Sequence, residues 1–112
     1  MEESILISIK KLLGITKDYK NFDTDIITHI NTVFLNLNQL GVGPVDGYFI
    51  EDDKNTWNEY IGDVKNLNAV KTYIYLKVKL MFDPPASSAV MEANKQMINE
   101  LEWRLNAEAE SK

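Results

Sequence analysis

The sequence predicts one mainly α-helical domain, a small bundle of about four to five helices that ends in an antiparallel helical hairpin. Apolar residues recur at intervals of three and four over most of the chain, which is the spacing of one helix face. Gly14, Gly41 and Gly62 each follow a periodic stretch, and helices commonly end at glycine. Pro84 and Pro85 interrupt the last long stretch, so the chain must bend there.

The composition limits the classes of function. Hydrophobic residues make up 45% and charged residues 26%, so a core can form and disorder is disfavoured. The chain has no cysteine, which excludes disulfides and thiolate metal sites. We expect no membrane partner, because no apolar run is long enough to cross a bilayer, and no signal peptide, because the first residues are acidic. A net charge of −5 disfavours general nucleic-acid binding.

Two helices are predicted in the first forty residues. The first covers 4–13, and the second covers 24–40 with Asp23 as its N-cap. The second helix has one apolar arc, formed by Ile26, Ile27, Ile30, Val33, Phe34, Leu37 and Leu40. His29 lies at the edge of this arc. As the single histidine it has no partner for a metal site or a catalytic triad, so we predict a structural or surface role.

The segment 41–53 is predicted to be a loop or a short β-hairpin near 48–50. Its turn signals are two dipeptides, Gly43-Pro44 and Asp46-Gly47. Its glycines lack the lysine and Ser/Thr of a phosphate-binding loop, and its acids do not follow the register of a calcium loop. We therefore predict no cofactor and no metal. Next, Thr56 and Glu59 have the spacing of a capping box for a short helix.

The third long helix is predicted over 63–82. It is apolar on most of its circumference, so several neighbours must bury it, and some of them can belong to other chains. Lys77 lies between two apolar stripes of this helix. Either its stem covers apolar surface while its amine reaches water, or it forms an ion pair with a carboxylate across an interface.

The final helix is predicted to begin after a cap at Ser87 or Ser88 and to fold back on the third. Its predicted core stripe is Val90, Ala93, Met97, Ile98, Leu101 and Leu105. Trp103 lies on the opposite side, and it either anchors a protein interface or packs under the first helix or the 41–53 loop. We assign 1–112 to a single domain and expect 105–112 to be a flexible tail.

Charge is unevenly divided between the last two helices. The third long helix has lysines and no internal acid, whereas the segment after Ser88 is rich in glutamate. Such helices can attract each other, or they can present unlike faces to neighbouring subunits.

The motifs of the C-terminal half resemble a known family. Residues 73–106, YIYLKVKLMFDPPASSAVMEANKQMINELEWRLN, with their DPP-x-S-S and E-L-E-W-R-L motifs, resemble the head–tail connector, or head-completion, proteins of long-tailed bacteriophages. Two upstream blocks, QLGVGPVDGYFI at 39–50 and NTWNEYIGD at 55–63, resemble the same family in the same order.

The resemblance implies a structural subunit of the virion neck, made in the host cytoplasm. It implies a homo-oligomeric ring of about twelve copies between the portal protein and a tail or stopper protein. Packaged DNA would pass through its channel without sequence-specific binding. Carried onto this chain, the candidate portal or subunit interface comprises Trp103, Arg104, Lys77, Glu100 and Glu102, and the candidate channel or tail-side loop comprises Val45, Asp46, Gly47, Tyr48, Glu51 and Asp52.

Two other classes of function compete with this interpretation. One is a small helical protein-binding or regulatory module that acts as a monomer or dimer. The other is an enzyme, which the residues disfavour because there is one histidine, no cysteine and no nucleophile paired with a base by its spacing.

Overall fold

Five helices make up the regular structure of the residues that the computed structural model describes, which are 4–44, 46–60 and 67–110. They are α1 (Ile5–Leu12), α2 (Asp23–Gln39), α3 (Trp57–Tyr60), α4 (Leu67–Phe82) and α5 (Ser88–Glu110). Within these ranges the only β-type pairing is an isolated antiparallel bridge between Ser4 and Thr56. The prediction of a mainly α-helical bundle is therefore confirmed.

Helix α1 is capped by Ser4, which the sequence prediction had placed in the helix itself. The hydroxyl of Ser4 accepts a hydrogen bond from the Ile7 amide at 3.2 Å, which satisfies one of the free amides of the first turn. The chain leaves the helix at Gly14, whose φ of 84° is readily available only to glycine. Leu12, which shares the apolar side of this helix in the sequence, is 50% exposed because it lies at the helix end beside a surface groove.

The start of α2 differs from the sequence prediction. The helix begins at Asp23, and its N-cap residue is Phe22, which makes no side-chain capping bond. The carboxylate of Asp23 lies 2.8 Å from the ammonium of Lys10 instead. Asp23 is thus not the cap, because a buried cation attracts the carboxylate more strongly than a helix amide does.

The core lies where α2 and α4 face each other, with α1 packed on both and α5 packed on α4. Each fully buried apolar side chain contributes about 1.5–3 kcal/mol relative to an exposed one. From α2 and α4 the buried side chains are Ile26, Ile30, Val33, Phe34, Leu37, Val70, Tyr73, Ile74, Leu76 and Val78.

The described residues of the 41–53 segment form a loop, and no β-hairpin is present among them. The Asn31 side chain of α2 takes the place of a partner strand for Ile50. Its Oδ1 accepts from the Ile50 amide at 2.8 Å, and its Nδ2 donates to the Ile50 carbonyl at 3.1 Å. Because both backbone groups of Ile50 are satisfied in this way, the extended residues need no second strand.

Half of the predicted capping box is present at α3. The Glu59 carboxylate accepts from the Thr56 amide at 3.0 Å, but the Thr56 hydroxyl has no hydrogen-bond partner. The predicted stop at Gly62 and the predicted start of the third long helix at Asp63 lie outside the described residues. Helix α4 ends at Phe82, as predicted from the two prolines that follow.

Helices α4 and α5 form the predicted antiparallel hairpin. Tyr73, in the first half of α4, contacts Glu102, in the second half of α5, so the two helices run in opposite directions. The Ser87 hydroxyl accepts from the Val90 amide at 3.4 Å, which identifies the cap among the two candidate serines.

The C-terminal segment from 105 is not a tail up to residue 110. Leu105 is buried, and helix α5 continues through Glu110. Asn106 Nδ2 donates to the Leu40 carbonyl at 3.2 Å, which joins this end of α5 to the end of α2. The prediction of a flexible tail is therefore corrected for 105–110, because Leu105 completes the apolar face that packs on the bundle.

The predicted core stripe of α5 is buried only in its second half. Ile98 and Leu105 are buried and Leu101 is partly buried, but Val90, Ala93 and Met97 are exposed. The first half of α5 therefore leaves one flank of its apolar stripe in solvent.

Candidate interaction surfaces

On the inner side of the hairpin, the Glu102 carboxylate joins α5 to α4. The hydroxyl of buried Tyr73 donates to Glu102 Oε2 at 2.7 Å, and Lys77 Nζ lies 3.7 Å from the same oxygen. The Lys77 ammonium also lies 5.6 Å from the centre of the Tyr73 ring. Of the two alternatives for Lys77, the ion pair is present, but its carboxylate belongs to the same chain. Lys77 and Glu102 therefore fix the rotation of α5 about its own axis.

This rotation directs Trp103 into solvent. Adjacent residues of an α-helix differ by about 100° in direction, so Trp103 points away from α4 when Glu102 points toward it. Its side chain is 72% exposed, which excludes the alternative that it packs under α1 or the loop. Glu100, Arg104 and Ala107 share the exposed side of α5 with Trp103, and we call these four residues the outer face of α5.

The outer face of α5 carries an ordered ion pair. Arg104 Nη2 donates to Glu100 Oε1 at 2.6 Å, one helical turn apart. Exposed pairs of this kind contribute little to stability, on the order of 0.3–0.5 kcal/mol. The pair instead holds a guanidinium and a carboxylate in fixed positions beside Trp103, and arginine and tryptophan are both enriched at protein interfaces.

The residues of the predicted loop surface are of two kinds: Tyr48 packs inward and anchors the loop, and the exposed residues form its rim. Tyr48 turns inward, with its ring centre 5.3 Å from that of Phe34 and 5.4 Å from that of Tyr60, and its hydroxyl donates to Glu59 at 3.2 Å. Phe49 is 57% exposed, and the sequence analysis did not select it. The other exposed members of the predicted loop set are Asp46, Glu51 and Asp52, while Gly47 is partly buried with a φ of 89°, and Val45 lies outside the described residues.

Two tyrosines of these surfaces have raised pKa values. Burial, then the hydrogen bond and the negative charge of Glu59, raise the pKa of Tyr48 to about 12 from 10.0. Burial and the Glu102 carboxylate raise the pKa of Tyr73 as well. In both cases the folded state favours the neutral phenol.

We therefore predict that the free energy of unfolding decreases above the unfolded pKa of about 10, where the unfolded state loses phenol protons that the folded state retains. The contribution is complete below pH about 10 and, for Tyr48, is lost between about 10 and 12. Chemical denaturation followed by circular dichroism across this range measures the slope. The variants Tyr48→Phe and Tyr73→Phe should each flatten it, and an unchanged slope in both would contradict the assignment.

A basic groove lies between α1 and α4. It is lined by Ser8, Lys11, Leu12 and Lys71 and has a volume of about 440 Å³. The Lys71 ammonium lies 5.3 Å from the centre of the Trp57 ring, and the Trp57 indole N–H donates to the Ser8 hydroxyl at 3.1 Å. The sequence analysis missed this groove, because its residues are about 60 positions apart and no local pattern connects them.

No cluster of three or more metal-binding side chains exists in the part of the chain that the structure describes. No helix in the described ranges is long and apolar enough to span a membrane. The His29 ring contacts Phe82, with 6.5 Å between the ring centres, where α2 meets the end of α4.

These features define a helical protein whose prominent surfaces suit binding to other proteins. The family model for phage connector proteins matches residues 5–112, and the chain therefore belongs to this family. No curated protein and no solved structure matches the chain. Family membership confirms the resemblance found in the C-terminal motifs and gives the chain a structural connector role in a bacteriophage, associated with portal or tail components. Phage connector proteins are in general not enzymes.

Proposed function

We propose that this chain forms a ring in the virion neck, between the portal and the tail, that extends the DNA channel and completes the head. Membership of the connector family supports the location. The observation that best supports assembly is the outer face of α5, where Trp103 is 72% exposed beside the Glu100–Arg104 pair. A large aromatic side chain next to an ordered arginine is typical of the residues that dominate binding energy.

The ring requires a pair of different complementary surfaces on each subunit, because contacts between identical subunits close into a ring only when they join head to tail. We expect about twelve copies, the number that the family resemblance implies. Partners at the two ends of the ring are the portal protein and a tail or stopper protein.

The exposed acids of the loop suit the wall of a DNA channel. Asp46, Glu51 and Asp52 are all exposed, and the whole chain has a net charge of −5. Negative side chains repel phosphates, so DNA can slide past such a wall without adhering to it. Phe49, at the centre of this loop and also exposed, is suited to contact the tail-side protein.

Sedimentation velocity of the protein, alone and mixed with the portal ring encoded by the same phage, tests the proposal. We expect several chains to co-sediment with each portal ring, whether or not the free chain assembles. A monomer or dimer that never co-sediments with the portal would contradict the proposed function. It would favour a small binding or regulatory module instead.

Replacement of Trp103 by alanine should separate assembly from folding. We expect the affinity of the chain for the portal to fall at least about 30-fold, as judged from the number of chains bound per portal at a fixed concentration. Replacing an interface anchor by alanine weakens binding by about 2 kcal/mol or more. The free energy of unfolding should change by less than about 0.5 kcal/mol, because the side chain is exposed. Equilibrium denaturation and co-sedimentation measure the two quantities.

The matched control is Leu35→Ala, which removes a similarly exposed apolar side chain from α2. We expect Leu35→Ala to leave portal binding unchanged. Equal losses of binding in both variants would show that Trp103 is not a specific anchor, and a large loss of stability in Trp103→Ala would contradict its exposed position.

A further inference from the structure

The groove between α1 and α4 is a preformed basic site. Of the described residues that line it, Lys11 and Lys71 are cationic, and Leu12 supplies apolar surface that is 50% exposed. Its floor is fixed: Ser8 accepts from the Trp57 indole at 3.1 Å and donates to the Ser4 carbonyl at 2.6 Å. A site held in this way loses little conformational freedom when a partner binds.

The groove and helix α5 lie on opposite sides of α4. Lys71 and Tyr73 are two positions apart, so their side chains differ by about 200° around the helix axis. Tyr73 contacts Glu102 of α5, whereas Lys71 lies over the Trp57 ring and lines the groove. Each subunit therefore presents the outer face of α5 and the groove in different directions, which is the arrangement that a head-to-tail contact requires.

Helix α5 is acidic as a whole, although its outer face holds one acid, Glu100, that is paired with one base, Arg104. Helix α5 has five glutamates (Glu92, Glu100, Glu102, Glu108 and Glu110) against two basic residues (Lys95 and Arg104), a net charge of −3. The described residues that line the groove include two lysines, Lys11 and Lys71. Opposite charges steer two surfaces into contact and disfavour incorrect pairings.

Trp103 also has a chemical reason to enter the groove. A lysine ammonium within about 6 Å of an indole centre is attracted to the ring face. Lys71 already makes this contact with the buried Trp57 at 5.3 Å, and the exposed Leu12 can cover the edge of a second indole. The groove has a volume of about 440 Å³, which is within the range of binding clefts.

We propose that the groove of one copy receives Trp103 and the outer face of α5 from a second copy of this chain. The inference rests on the proposed function, because it names the two surfaces that join neighbouring subunits of the ring. It leaves the loop at 41–53 available to a different partner.

Cysteine cross-linking tests the proposal directly, because the native chain has no cysteine. The double variant Leu12→Cys with Ala107→Cys keeps both groove lysines and places one thiol in the groove and one on the outer face of α5. We expect mild oxidation, both on the portal ring and in concentrated free protein, to give a ladder of covalent multimers. Either single variant can give at most a covalent dimer, since it carries one thiol.

The control for the cross-link is Leu35→Cys with Ala107→Cys, which moves the first thiol to exposed α2. This pair should give no ladder. If the control pair links as well as the groove pair, or if Ala107→Cys links to the portal chain instead, the proposed contact is wrong.

A charge reversal gives a second measurement that does not depend on thiol geometry. Lys11→Glu should reduce the affinity for further chains on the portal at least tenfold, whereas Lys17→Glu, at an exposed position in the loop after α1, should not. If wild-type chains bind the portal in several copies but both the ladder and the Lys11→Glu effect are absent, the groove inference fails and the connector function stands. If wild-type chains do not bind the portal, the proposed function itself fails.

Discussion

Replacing Lys10 by methionine should lower the free energy of unfolding by about 3–5 kcal/mol, the cost of removing one partner from a buried ion pair. The Lys10 side chain is 1% exposed. Its ammonium lies 2.8 Å from Asp23 Oδ1 and donates to the carbonyls of Lys17 and Tyr19 at 3.2 and 2.7 Å. Methionine keeps most of the volume but leaves one carboxylate without its cation and two carbonyls without their hydrogen-bond donor. Denaturant unfolding followed by circular dichroism measures the loss.

Lys11→Met is the matched control, because it makes the same chemical change at the next, exposed position of α1. We expect it to change the free energy of unfolding by less than about 0.5 kcal/mol. A double-mutant cycle of Lys10→Met and Asp23→Ala should give a coupling energy within the range of about 0.5–3 kcal/mol typical of contacting residues. Equal effects of the two methionine variants would show that the ammonium does not hold the loop after α1.

The role of Lys10 could not be predicted from the sequence. Lys10 and Lys11 are adjacent and chemically identical, and only the path of the chain decides which one is buried. Two of the three groups that contact the Lys10 ammonium are backbone carbonyls, which no residue pattern reveals. The third is Asp23, whose position before a helix made the sequence favour a capping role. The sequence has a local capping signal at Asp23, but the tertiary contact with Lys10 determines where the Asp23 carboxylate lies.

Signals within one helical turn predicted the helices well. Ser87 caps α5, and the prolines after Phe82 end α4. Helical periodicity also predicted that Trp103 lies opposite the core stripe of α5, which the exposed side chain confirms. By contrast, the pairing of Asn31 with Ile50 joins residues 19 positions apart, so the sequence left a loop and a hairpin as alternatives for 41–53, and the described residues form a loop.

Periodicity identifies an apolar face but does not tell which chain covers it. Val90, Ala93 and Met97 continue the core stripe of α5 by spacing, yet all three are exposed in the single chain. The bundle fully buries side chains of α5 only from Ile98 onward, whereas Met91 is partly buried. A subunit that buries further surface on assembly would have this pattern, because monomers seldom leave a contiguous apolar stripe in solvent.

The groove shows the opposite limitation. Its residues are ordinary in the sequence, two lysines, a serine and a leucine, and none forms a motif. Folding brings α1 and α4 together around Trp57, and only then do the two charges share one concave surface. An interface of this kind can be found from tertiary structure but not from local spacing.

Replacing Gly43 by alanine should lower the free energy of unfolding by about 2–5 kcal/mol, the sum of a backbone and a packing penalty. Gly43 has a φ of 88°, a conformation that costs L-residues about 1–2 kcal/mol. A Cβ atom there would also lie 2.6 Å from Cε1 and 2.8 Å from the hydroxyl of Tyr60. The Tyr60 ring cannot move aside easily, since its centre is 4.6 Å from that of Phe34 and 5.4 Å from that of Tyr48.

The control Gly14→Ala separates the two penalties. Gly14 has nearly the same φ, 84°, but a Cβ at this position would meet no atom within 4 Å. We therefore expect Gly14→Ala to show the backbone cost alone and Gly43→Ala to exceed it by the packing cost of about 1–3 kcal/mol. Equal destabilisation would show that Tyr60 yields to the methyl group, and that its contact with Gly43 does not fix the loop. A larger loss of stability for Gly43→Ala would instead show that rigid aromatic packing supports the loop and its exposed acids, because the Tyr60 ring contacts both Gly43 and the Tyr48 ring.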